Sequence, residues 1–229
     1  MSDRLRLARL SGTVAPVVSF GAILLAALLA PWFSWTGDAL SDLGVPATSA
    51  VAPLFNYGLV AGGLLAVPYG LALWVDAGSG SEAAARSLAD RLVGRVVAVL
   101  FSASAVSMAL VGVFPIPARL SVAETTLEPH FLVAVGFYLG LTATLAVDGL
   151  RRPRQSAGQV ALLLAVVHVG YWLAWGQGLR LGPGLAIPET VGALALTAWL
   201  WLVSPSRPPA LARLRRRARR GRRGPRRYR

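Results

Sequence analysis

The chain has 229 residues, of which 55% are hydrophobic and only 14% charged, and its mean hydropathy is +0.59. A soluble domain carries about a quarter charged residues, so this is the composition of a polytopic membrane protein. Cysteine is absent, which excludes disulfides, thiolate metal sites, cysteine nucleophiles and iron–sulfur clusters.

The formal net charge is +13, and all 23 basic residues are arginine. Twelve of them lie in Arg207–Arg229, a segment with no acid, so the body before it carries eleven arginines against ten acids. The basic character belongs to the tail.

The chain divides into an N-terminus (1–11), a six-helix membrane domain (12–203) and an arginine-rich tail (204–229). Six apolar runs are long enough to cross roughly 30 Å of hydrocarbon. They fall near Gly12–Phe33, Pro53–Val75, Val93–Phe114, His130–Leu150, Gln159–Gln177 and Ile187–Val203. The expected fold is all-α. The first run has a basic start and small residues near its end, like a signal peptide. Pro31 after Ala30 is a poor cleavage context, so the run reads as a retained helix. In the second run, Gly58, Gly62 and Gly63 offer a small-residue face, and Pro68 is expected to kink the helix. Gly94, Ala98 and Ser102 form a similar stripe in the third run, and Gly136 and Gly140 in the fourth.

Arginine placement sets the orientation. Arg4, Arg6 and Arg9 precede the first span. Arg86, Arg91 and Arg95 lie between or at the edges of the second and third. Arg151, Arg152 and Arg154 lie between the fourth and fifth, and the tail follows the sixth. Only Arg119 and Arg180 fall on the other side. Both termini are therefore expected in the cytoplasm of a cell whose cytoplasmic membrane holds the protein as a multi-pass span. The loops Ser34–Ala52, Pro115–Pro129 and Gly178–Ala186 are expected outside. The tail is expected to be disordered and to touch anionic lipid headgroups rather than nucleic acid.

The polar residues of the spans are few. Asp76 and Asp148 sit at helix ends beside the arginines, where surface pairing accounts for them. On the opposite side Asp42, Asn56, His130 and Glu189, drawn from separate hairpins, can converge on one pocket. Glu124 and Glu128 precede the fourth span, and Trp32, Trp35, Tyr57 and Trp175 would surround the pocket. Each alone also has an ordinary role as a cap, an interfacial residue or a belt aromatic. His168 falls near mid-membrane and needs a partner such as Tyr138, Thr142 or a carbonyl. Tyr171 follows on the same helix as a second candidate buried polar residue.

The segments "SDLG" (Ser41–Gly44), "LFNYGLVAGGLL" (Leu54–Leu65), "LVGVFP" (Leu110–Pro115) and "HFLVAVGFY" (His130–Tyr138) resemble domain-of-unknown-function family 998, over residues 12 to 203. That family comprises bacterial and archaeal six-helix membrane proteins without an assigned activity. The matching residues are Ser41, Asp42, Leu43, Gly44, Phe55, Asn56, Gly112, Phe114, Pro115, His130 and Glu189.

The reading these features favour is a non-catalytic membrane protein with an outward-facing polar pocket for a lipid headgroup or small ligand. No catalytic residue is named, and no cofactor or metal is expected. Two alternatives are a small-molecule transporter or channel, and an intramembrane metal-dependent hydrolase. The second has only His130 and His168 as imidazoles and no HExxH spacing. Ligand and oligomeric state are not encoded in any recognisable motif.

Overall fold

The computed structural model of the chain describes residues 3–78, 87–122 and 125–206, with backbone only at 120–122, 125 and 126. Six helices are long and apolar enough to cross a membrane. They are α1 (Asp3–Leu29), α2 (Ala52–Gly78), α3 (Leu88–Val113), α4 (Pro129–Arg151), α5 (Ser156–Gly176) and α6 (Ala186–Ala198), the last continued by a π-helical turn over Trp199–Val203. The loop between α3 and α4 adds a small hairpin. Its strands β1 (Leu120–Val122) and β2 (Thr125–Leu127) pair antiparallel. The β-branched Val122, Thr125 and Thr126 favour that extended pairing over a further helical turn.

The helices leave large apolar side chains on their outer faces, among them Leu28, Leu64, Leu139, Val166 and Leu173. In water such surfaces would aggregate; against lipid tails they are the expected lining. The chain is a multi-pass membrane protein.

Close approach between helices rests on small residues, because lipid supplies no hydrophobic drive for helices to associate. Helix α2 is packed on two sides. A Cβ placed on Gly58 would lie 2.2 Å from Ala22 Cβ of α1, and one on Gly63 would lie 2.6 Å from the Ala105 carbonyl of α3. Gly62 and Gly70 extend these faces toward Ser19 and Ser102. Gly94 and Gly140 bring α3 against Ala77 of α2 and Ser104 of α3 against α4. The stripes read from sequence are contact faces. Pro68 is accommodated within α2, which continues through it to Gly78.

The end of the bundle carrying α1's start and residue 206 is held by one half-buried ion pair and one buried carboxylate cluster. Arg9 bonds Asp76 at 2.5 and 3.2 Å, and Ser206 donates to the same carboxylate at 2.6 Å. Asp148 is fully buried, not a surface partner as its position at a helix end suggested. It accepts from Arg152, from Arg151 at 3.4 Å and from the Trp199 indole at 2.8 Å. A carboxylate at this depth requires several donors, since a buried charge is tolerated only when paired and hydrogen-bonded. The π turn, closed by Ser204 N–H donating to the Trp199 carbonyl, aims that indole inward. Above it Tyr69, Phe101 and Trp199 stack as one aromatic layer, with centroids 5.5 and 5.7 Å apart.

Two expected boundaries shift. Helix α1 runs Asp3–Leu29 rather than from near Gly12 to Phe33; Leu, Arg and Ala favour helix in its first turns, and Arg9 is tied to Asp76. Ser204 and Ser206, assigned to the tail, belong to the body, where Ser204 meets the Tyr69 hydroxyl. Arg86, Glu124 and the tail Arg207–Arg229 lie outside the described residues.

Candidate functional site

The three loops expected on one side do share one end of the bundle. The first loop is a backbone scaffold. Its 3₁₀ turn, Leu40–Gly44, is closed by the Asp42 carboxylate, which accepts from Ala39 N–H at 2.7 Å. Leu43 is fully buried beneath it. The Gly44 carbonyl accepts from Asn56 Nδ2 at 2.8 Å, and a Cβ on Gly44 would lie 2.5 Å from Asn56 Oδ1. The turn is thus clamped to the first turns of α2.

The third loop runs beside the first. Gly184 N–H donates to the Thr36 carbonyl and Ala186 N–H to the Asp38 carbonyl, both at 2.9 Å. A Cβ at Gly182 or Gly184 would lie 2.2 or 2.3 Å from the first loop's backbone, so only glycine permits this contact. Helix α5 ends just before, with Gly178 in the left-handed region at φ 82°, the usual glycine helix stop. The stitched loops bring α6 to the 3₁₀ turn. There Glu189, only 9% exposed, accepts from Leu40 N–H at 2.6 Å through Oε2.

Between α4 and α5 lies a cavity of about 600 Å³. Its apolar walls include Phe131, Val135 and Leu139 of α4 and Val169 and Leu173 of α5. From His130 to Thr142, both in the lining, it extends ~18 Å along α4 at the usual helical rise. That is more than half of a ~30 Å hydrocarbon core. Helices α4 and α5 share less contact than the earlier neighbours do, which leaves this space open. At its loop end stand Ser41, Glu128, His130 and Glu189, and Tyr138 lies about two helical turns further along α4. A smaller chamber of about 60 Å³ adjoins it, lined in part by the same Ser41, His130, Tyr138 and Glu189. Those four side chains form a polar partition between the two spaces.

His130 is oriented by its Nδ1, which donates to the Phe114 carbonyl at 2.8 Å. A carbonyl can only accept, so Nδ1 carries the proton and Nε2 is the acceptor. This gives the Gly112–Pro115 segment its role: a Cβ on Gly112 would lie 2.3 Å from the Asn56 carbonyl, so glycine lets α3 approach α2 there, and Phe114 offers its carbonyl to His130.

The deep wall is a chain of hydrogen bonds. Trp172 Nε1 donates to His168 Nε2 at 3.0 Å, His168 Nδ1 lies 3.0 Å from Thr142 Oγ1, and Thr142 donates to the Tyr138 carbonyl at 2.8 Å. Since Thr142 has given its proton away, His168 Nδ1 is the donor to it. Both ring nitrogens are occupied. The ring also packs 5.7 Å from Tyr138, with Gly192 of α6 leaving the room.

Of the residues singled out from sequence, His130 and Glu189 meet at the cavity, and His168 lines its depth. Asp42 Oδ2 and Asn56 Nδ2 bond within the loop, and neither residue lines the cavity. Tyr171 is half-buried and faces Thr36 and Gly184 rather than His168, so it is no buried polar partner. Trp32, Trp35 and Tyr57 are exposed and do not line the cavity; they form an ordinary interfacial belt. Sequence reasoning missed Ser41 and Trp172 as lining residues. Trp172 had a signal: it follows His168 by four residues, hence on the same helical face. Among the described residues no three His, Asp or Glu side chains gather as a metal-binding group.

No curated protein and no solved structure matches the chain. A family model described as "Protein of unknown function (DUF998)" matches residues 13–205. It spans all six helices and the motif residues just placed around the 3₁₀ turn and the cavity, so the chain belongs to this family.

Proposed function

We propose that the protein resides in the cytoplasmic membrane with its loop end outward and binds an amphiphile there, by headgroup and chain together. The observation that carries this reading is the cavity between α4 and α5. Its volume is in the range of small-molecule sites. Polar groups are confined to its loop end and to the His168 wall, while the walls between are apolar and border the lipid-facing surface. A headgroup at Ser41, His130 and Glu189 with a chain along Phe131, Val135 and Leu139 satisfies both regions.

A transport reading has less support. Past His168 the interior is filled by the Tyr69–Phe101–Trp199 layer, which a solute would have to displace.

The test fills the space. Ala134 lines both chambers, so Ala134→Phe places a ring where a ligand would lie. Purified full-length protein is extracted and its retained lipids are measured by mass spectrometry. The wild type is expected to hold amphiphile at about one per chain, and Ala134→Phe to lose most of it. A control, Leu28→Phe on the exposed face of α1, keeps it. Equal retention in all three defeats the proposal.

A further inference from the structure

The partition has a chemical bias. Glu189 is buried and lines both chambers, yet among the described residues it makes only the bond from Leu40 N–H to Oε2. Its Oε1 has no donor there. His130, with Nδ1 committed to Phe114, turns the acceptor Nε2 to the remaining space. Glu128 adds a second carboxylate at the exposed mouth. Among the described residues no arginine lines the cavity. The two arginines of this end are placed elsewhere: Arg180 sits 5.3 Å over the Trp175 ring, and Arg119 is exposed in the second loop. Glu189 therefore offers the cavity an acceptor that no described protein group claims, and a ligand head that supplies a donor completes its hydrogen bonding. Phosphate or carboxylate heads bring more acceptors and negative charge to a site already holding both.

On the amphiphile-binding reading above, we infer that the ligand is a single-chain amphiphile whose head donates hydrogen bonds and bears no negative charge, with a primary ammonium the tightest binder. The ammonium meets Glu189 Oε1 and His130 Nε2, and its chain runs along α4 toward Trp172.

The experiment uses full-length protein in detergent and a set of amphiphiles of one chain length, brominated in mid-chain. Their heads are primary amine, alcohol, carboxylate and phosphate. Bromine quenches indole fluorescence on contact, and the fraction of quenching lost in Trp172→Phe reports occupancy of this cavity. Native mass spectrometry of the unaltered chain measures the same affinities without a mutation. The amine is expected to bind at least about tenfold tighter than the phosphate, with the alcohol between. Glu189→Gln, whose amide oxygen can still accept from Leu40, is expected to weaken the amine about tenfold and leave the alcohol little changed. Glu128→Gln, at an exposed position, is expected to lower the amine preference modestly and only at low salt. Phosphate or carboxylate binding as tightly as amine overturns the inference while amphiphile binding itself stands. An amine affinity unmoved by both glutamine variants overturns it too. Absence of binding by every head removes the amphiphile reading and this inference together.

Discussion

At the scale of single residues, the two carboxylates at the arginine end differ in depth and therefore in consequence. Asp148 is fully buried and holds Arg152, Arg151 and the Trp199 indole, while Asp76 retains 22% side-chain exposure. Asp148→Ala leaves a poorly solvated guanidinium and an orphaned indole N–H, an expected loss of roughly 3–5 kcal/mol. Asp76→Ala is expected to cost about 1 kcal/mol, because water screens that pair. Thermal unfolding in detergent measures both, and a larger loss at Asp76 would contradict the depth argument. The identity of the acids was legible in the sequence, but their depth was not. Asp148 reads as an interfacial residue because it is three and four positions from Arg151 and Arg152. What buries it is the indole of a residue 51 positions away, brought over by the π turn.

At the scale of elements, glycine decides which helices touch. Gly63 has no room for a Cβ against the Ala105 carbonyl of α3, whereas a Cβ at Gly170 in α5 meets nothing within 4 Å. Gly63→Val is therefore expected to cost about 1–3 kcal/mol through forced separation of α2 and α3. Gly170→Ala is expected to be neutral or slightly stabilising through helix propensity. The same detergent unfolding assay separates them, and equal losses would mean that the packing faces are misassigned. Candidate faces could be read from the four-residue spacing of small residues. Which neighbour each face meets could not: Gly62 and Gly63 are adjacent in sequence yet face α1 and α3.

At the scale of the whole molecule, the loop and arginine ends carry different charge, and the outward assignment of the loop end can be checked directly. The chain has no cysteine, so a single one can be introduced without interference. Thr48 and Gln155 are exposed at the loop and arginine ends respectively. In intact cells, Thr48→Cys is expected to react with a membrane-impermeant maleimide, and Gln155→Cys only after permeabilisation. The reverse pattern would invert the protein and place the cavity's polar mouth at the cytoplasmic face.

The sequence by itself determined the membrane setting, the six spans and the end at which polar motif residues collect. Those follow from composition, run length and local charge, quantities that neighbours in the chain suffice to define. Tertiary structure alone decided which polar residues line the cavity. Asp42 and Asn56 find partners within the first hairpin, so their hydrogen bonds are spent locally. His130 and Glu189 are fixed by carbonyl and N–H groups 16 and 149 positions away, and both line the cavity. The distinction between a loop clamp and a cavity-lining residue lies in where those distant backbone groups arrive. Helix packing and the glycine-stitched loops set that arrival, and no local pattern encodes it.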